Sequence, residues 1–143
     1  MSLFRTSFLT GVVLQLLTGP VHLIGHFSGP PPPANEDQKL LMELMSVVKQ
    51  DFGGGFVRST EDILLGLSLQ YSIFIVMVGF ANLLAIRMAK ETPYLRALCW
   101  LNAAFMGILA VNAFVYFFIP PLLLFVLPAL AFLIAALAAS RLA

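Results

Sequence analysis

Charge is what this chain has least of. Asp, Glu, Lys and Arg make up 10 % of its 143 residues while hydrophobic types make up 60 %, where a soluble domain carries about 25 % charged residues. A water-soluble globular domain is thereby excluded. The net charge of +1 leaves no basic footprint for nucleic acid. A single cysteine, Cys99, excludes an intramolecular disulfide and argues against the four-helix thiol oxidoreductases, which need cysteine pairs. Within the apolar stretches no Asp, Glu, Lys or Arg stands away from the ends. That removes the buried carboxylate or lysine that carries a proton or ion across a bilayer. No nucleophile–base pair is visible. No internal repeat supports an inverted-repeat transporter.

What remains is apolar helix. The mean hydropathy is +0.96, and four windows reach the ~20 apolar residues needed to cross a hydrocarbon core of about 30 Å. They run over residues 6–27, 62–86, 97–119 and 121–140. The expectation is an all-α membrane protein in one domain, 1–143: a bundle of four transmembrane helices, up-down-up-down, with an outer loop at 28–61. The first window exceeds the apolar core of a cleaved leader, about 7–15 residues, and Ser28-Gly29-Pro30-Pro31 is a poor cleavage site, so this helix is expected to stay.

Basic residues set the orientation. Arg5, Arg87, Lys90, Arg96 and Arg141 fall on one side. Lys39, Lys49 and Arg58 fall on the other, diluted by Glu36, Asp37, Glu43, Asp51, Glu61 and Asp62. Both termini are therefore expected in the cytoplasm.

The outer loop opens on Pro30-Pro31-Pro32-Pro33, a stiff extended exit from the first helix. Asn35 stands at an N-cap position, with Glu36 and Asp37 in the first turn and Gln38 three residues on. Leu40, Leu41, Leu44, Val47 and Val48 keep helical spacing, Lys49 falls in the last turn, and Gly53-Gly54-Gly55 ends the run. This predicts an amphipathic helix of about 15 residues on the outer membrane surface or capping the bundle. Ser59 and Asp62 form a second capping box opening the next span. Pro120-Pro121 predicts a tight uncharged hairpin between the last two spans. Pro128 predicts a kink unless a neighbour satisfies the freed carbonyl.

Polar side chains inside the spans are the candidates for function. Gln15, Thr18, His22 and His26 follow spacings of three, four and four, one face of the first helix. In the outer leaflet Gln70 and Tyr71 of the second span and Asn112 and Tyr116 of the third come to similar depth as the histidines. His22, His26, Gln70, Tyr71, Asn112 and Tyr116 are therefore the candidate ligand-binding residues. Three readings of the histidines stand open. They are packing residues, His26 at the interface and His22 hydrogen-bonding a neighbouring helix. Or they are a metal-ligand pair, with Met42 and Met45 as soft ligands for copper. Or one is an axial ligand to haem or a chlorophyll-type pigment. No cofactor is the first expectation, with haem or copper behind it. Asn82 and Asn102 share the inner half and are expected to hydrogen-bond each other. Ala131, Ala135 and Ala139 form a small-residue stripe for close helix approach, within the bundle or to another subunit.

The segment His22-Leu23-Ile24-Gly25-His26-Phe27 resembles the end of the first helix in a family of small uncharacterised four-helix bacterial integral membrane proteins. Those proteins carry an H-x-x-G-H element, an outer loop with an acidic helix and a methionine, a basic-Ser/Thr turn and a glycine-containing second helix. The matching parts here are His22 and His26, Met42 or Met45, Arg58-Ser59 and Asp62-Ile63-Leu64-Leu65-Gly66-Leu67-Ser68, within about the first 90 residues. The resemblance implies the four-helix architecture and a bacterial inner (cytoplasmic) membrane, and no activity. The functional expectation is a non-catalytic accessory or assembly subunit of a larger membrane complex, in contact with lipid and other membrane subunits or self-associating through the last helix. The alternative is a haem, copper, quinone or other lipophilic-ligand binder built around His22 and His26. An enzyme using either histidine as general base ranks below both, for want of a partner residue.

Overall fold

The computed structural model describes residues 3–88 and 92–139. The expectations placed on Lys90, Ser140 and Arg141 lie outside the described residues. The chain is helical, with helices α1 (Leu3–Phe27), α2 (Glu36–Val47), α3 (Thr60–Met88), α4 (Thr92–Tyr116) and α5 (Ile119–Ala139) and two short strands, β1 (Lys49–Asp51) and β2 (Val57–Ser59). Within α1, α3, α4 and α5 lie four stretches long and apolar enough to cross a membrane.

Capping chemistry sets the helix starts. The Asn35 side chain accepts a hydrogen bond of 2.8 Å from the Gln38 amide, and the Gln38 side chain accepts one of 2.8 Å from the Ala34 amide. At the head of α3 the box is reciprocal: the Ser59 amide donates to Asp62 at 2.9 Å and the Asp62 amide donates to Ser59 Oγ at 3.1 Å. Orphan amides at both helix starts thus find side-chain acceptors.

Three sequence expectations are corrected. The loop helix is shorter than anticipated: α2 ends at Val47, and Lys49 belongs to β1, paired with Ser59 across an antiparallel hairpin. Gly53, Gly54 and Gly55 do not stop a helix; they form the hairpin tip, all three at positive φ (83°, 61° and 84°), a run only glycine adopts without strain. Pro120 and Pro121 are not the hairpin between the last spans. α4 ends at Tyr116, Phe117 and Phe118 make the turn, and both prolines sit in the first turn of α5, where a helix needs no amide donor.

α5 packs on both α4 and α1, α1 packs on α3, and α3 and α4 touch little. The core lies mainly at the end carrying Arg5 and Arg87, where Phe4, Phe8 and Val12 of α1, Leu95 and Cys99 of α4, and Phe132, Ala135, Ala136 and Ala139 of α5 are buried together. Phe132 fills the notch at Gly11, where an added Cβ would sit 3.0 Å from its ring, and meets Phe8 edge-on at 5.6 Å. The alanine stripe is consumed here. Ala131, Ala135 and Ala139 are buried inside the bundle.

Pro128 is buried within α5 and deprives the Leu124 carbonyl of its i+4 donor. The Thr18 hydroxyl lies 3.3 Å from that carbonyl and 2.9 Å from Leu14 O of its own helix. The single hydroxyl proton is thus shared between its own helix and, at the longer distance, the carbonyl that the proline leaves open. Thr18→Val is expected to destabilise the bundle by about 1 kcal/mol in reversible unfolding from bicelles. Pro128→Ala in the same background should recover most of the loss, because the restored amide serves Leu124 directly; no recovery would show that the hydroxyl acts elsewhere.

Candidate functional site

Two polar groups of side chains lie inside the bundle. The deeper one joins α1, α3 and α4. Asn82 Nδ2 donates to Gln15 Oε1 at 2.9 Å and to Asn102 Oδ1 at 2.8 Å. Asn102 Nδ2 returns a bond to Asn82 Oδ1 at 3.0 Å and donates to Leu98 O at 2.8 Å. Gln15 Nε2 points to Met106 Sδ at 3.9 Å. All three carboxamides are at most 3 % exposed. The anticipated Asn82–Asn102 pair is present. Gln15 and Met106 as further members were not anticipated from sequence. Each oxygen and nitrogen in the group has at least one partner, so the group is a clamp between helices.

The second group lies toward the loop end. His22 and Tyr71 meet edge to face, ring centroids 5.0 Å apart, and Phe125 of α5 closes on the other side of Tyr71 at 6.1 Å. Tyr71 Oη and Ser72 Oγ are both buried and without a hydrogen-bond partner. Buried hydroxyls normally find one, and an orphan calls for an explanation. His26 lies one turn on, half-buried, its ring edge-on to the adjacent Phe27 at 5.6 Å.

Of the six anticipated ligand-binding residues, the structure brings His22 and Tyr71 together. Gln70, Asn112 and Tyr116 are exposed, Tyr116 at 75 %. Helical angles explain why. The buried face of α3 carries Ser72, Ile75, Gly79 and Asn82, and Gln70 stands roughly opposite it at about 100° per residue. On α4 the buried face carries Leu95, Cys99, Asn102, Met106, Ala110 and Ala113. Asn112 lies about 120° from its centre and Tyr116 about 80°. Met42 and Met45 are half-buried on α2. Among the described residues no group of three or more His, Cys, Asp and Glu is arranged to hold a metal ion. Ser72 was not among the anticipated site residues; its chain neighbour Tyr71 was the only signal.

Comparison with protein-family models, with curated proteins and with solved structures finds no match.

Proposed function

We propose that this chain is a non-catalytic accessory or assembly subunit of a larger membrane complex, working through its contact surfaces. It weaves up-down-up-down through a bacterial inner membrane with both termini cytoplasmic, and α2 lies along the outer membrane surface. The observation that carries the reading is the uncovered apolar surface outside the spans. Leu40, Leu41, Leu44 and Val47 of α2 and Phe52 and Phe56 flanking the hairpin tip stay 46–67 % exposed, and contiguous apolar surface of this kind marks an interaction site. The arc from Leu40, Leu44 and Val47 round to Leu41 and Val48 spans about 120°, enough for lipid along one edge and a partner along the other. A second contact surface is the outward groove of about 420 Å³ between α4 and α5, lined by Ala103, Ala104, Gly107, Ala110 and Ala129 below Trp100. Small side chains there permit a helix from another subunit to approach closely.

The orphan hydroxyls of Tyr71 and Ser72 beside His22 favour a second reading, a haem, copper, quinone or other lipophilic ligand seated between α1 and α3. One preparation separates the two. The chain is purified in mild detergent and its absorption spectrum, metal content and co-purifying proteins are recorded for wild type, Leu40→Gln/Leu44→Gln and His22→Ala. Stoichiometric partners lost in the leucine variant and retained in His22→Ala support the accessory role. A chromophore or stoichiometric copper lost only in His22→Ala, with no partner present, overturns it in favour of the pocket.

A further inference from the structure

Thr18 shows how a hydroxyl inside a helix settles in this bundle: it donates to Leu14 O, four residues back, at 2.9 Å, the usual recourse of Ser and Thr in apolar surroundings. Ser72 is 2 % exposed and makes no such bond. Its Oγ has no partner, on the Ser68 carbonyl or elsewhere, and neither has Tyr71 Oη. The other buried polar side chains among the described residues, Gln15, Ser59, Asn82 and Asn102, are all bonded. Two consecutive residues of α3 thus carry the unbonded hydroxyls, and three helices surround them. Tyr71 lies between His22 of α1 and Phe125 of α5, ring centroids 5.0 and 6.1 Å away and both edge-on. One turn deeper on α1 the helices close: an added Cβ at Gly19 would stand 2.8 Å from Ser72 O. On its other side α3 touches α4 little, which leaves a way in from the bilayer.

One oxygen acceptor satisfies both hydroxyls at once, because each offers a proton and a carbonyl oxygen has two lone pairs. A haem iron or a copper ion would engage His22 and leave the hydroxyls as they are, and among the described residues no group of three or more His, Cys, Asp and Glu is arranged around a metal position. Residues 6–27, 60–86 and 119–139 hold no Lys or Arg, so nothing in these helices neutralises a carboxylate or phosphate at that depth, and the acceptor is uncharged. We propose that Tyr71 and Ser72 together hold the carbonyl oxygen of a neutral lipophilic molecule, with His22 and Phe125 against its apolar body. The proposal rests on the pocket reading above and gives that pocket's ligand its chemistry. Two sources bear such a carbonyl in a membrane, the head of a quinone and the ester of an acyl lipid.

The test places the full chain in nanodiscs of dialkyl ether phosphatidylcholine, which has no carbonyl, and offers decylubiquinone or a diester phosphatidylcholine. Retained molecules are counted by native mass spectrometry. Wild type is expected to retain at least one of the two, and the arm that fills identifies the source. Tyr71→Phe/Ser72→Ala should retain it about tenfold less, for the loss of two hydrogen bonds. With neither carbonyl compound present, the same variant should unfold no more readily than wild type, because hydroxyls without partners do not hold the fold together. Easier unfolding would mean that they bond within the chain, and overturns the site. Retention of neither compound by wild type overturns it as well. Equal retention by wild type and the hydroxyl-free variant overturns the carbonyl grip alone. If His22→Ala then loses the ligand, the pocket reading stands without it; if His22→Ala keeps the ligand, the pocket reading falls too.

Discussion

Asn82→Leu is expected to lower the stability of the bundle by about 1–3 kcal/mol, more than most polar substitutions inside a membrane. The side chain it removes makes three bonds, to Gln15 Oε1, Asn102 Oδ1 and Asn102 Nδ2. Leucine keeps the branched shape but is bulkier, so overpacking at this buried site adds to the cost that falls on the groups left behind. Gln15 and Asn102 are at most 3 % exposed, and in hydrocarbon no water replaces the lost partner. The position has further weight because α3 and α4 touch little elsewhere; beyond the carboxamides, Phe74 and Phe105 meet edge-on at 6.1 Å. Asn82→Leu/Asn102→Leu should be less harmful than the sum of the single changes, since removing both members leaves fewer orphans. Reversible unfolding in bicelles measures all three variants. A single substitution costing under about 0.5 kcal/mol, or strict additivity, would mean that the network is not a clamp.

Gly19→Ala is expected to cost about 1–3 kcal/mol as well, against the ordinary gain of up to about 1 kcal/mol from replacing glycine inside a helix. The added Cβ would stand 2.6 Å from Val76 Cγ2 and 2.8 Å from the Ser72 carbonyl oxygen. A methyl can rotate away; a backbone carbonyl in the facing helix cannot, so α1 and α3 must separate. Gly79→Ala should be milder, because its obstacle is the end of the Leu16 side chain. Gly25 has nothing within 4 Å of its would-be Cβ, and Gly25→Ala should be neutral or slightly stabilising. The ranking Gly19, Gly79, Gly25 in the same unfolding assay is the check. A stable Gly19→Ala protein would show that the helices do not approach as closely as this.

The spans were legible because hydropathy over ~20 residues is a strong signal, and the caps because Asn35–Gln38 and Ser59–Asp62 are local chemistry. The Asn82–Asn102 pair was legible from depth alone, which places two carboxamides at one level where each needs a partner. Neighbour identity was not. Depth cannot say that Gln15 completes that pair, or that Thr18 reaches Leu124 across helices. The convergence expected of Asn112 and Tyr116 failed for a different reason. A three–four alternation tolerates a face tens of degrees off centre, and only the buried set on α4 reveals where the centre lies. The hairpin escaped notice because Lys49–Asp51 and Val57–Ser59 are three-residue strands with no apolar alternation to betray them.

The bond from Thr18 to Leu124 also has a consequence in time. The ribosome makes α1 well before α5, and α5 enters the bilayer with one carbonyl that its own proline has left uncommitted. Alone in lipid that carbonyl carries a desolvation cost. Docking beside α1 removes it, so the last helix is held in a less favourable state until it finds the first one. A chain in which that encounter fails would keep one polar backbone group of α5 without its cross-helix donor.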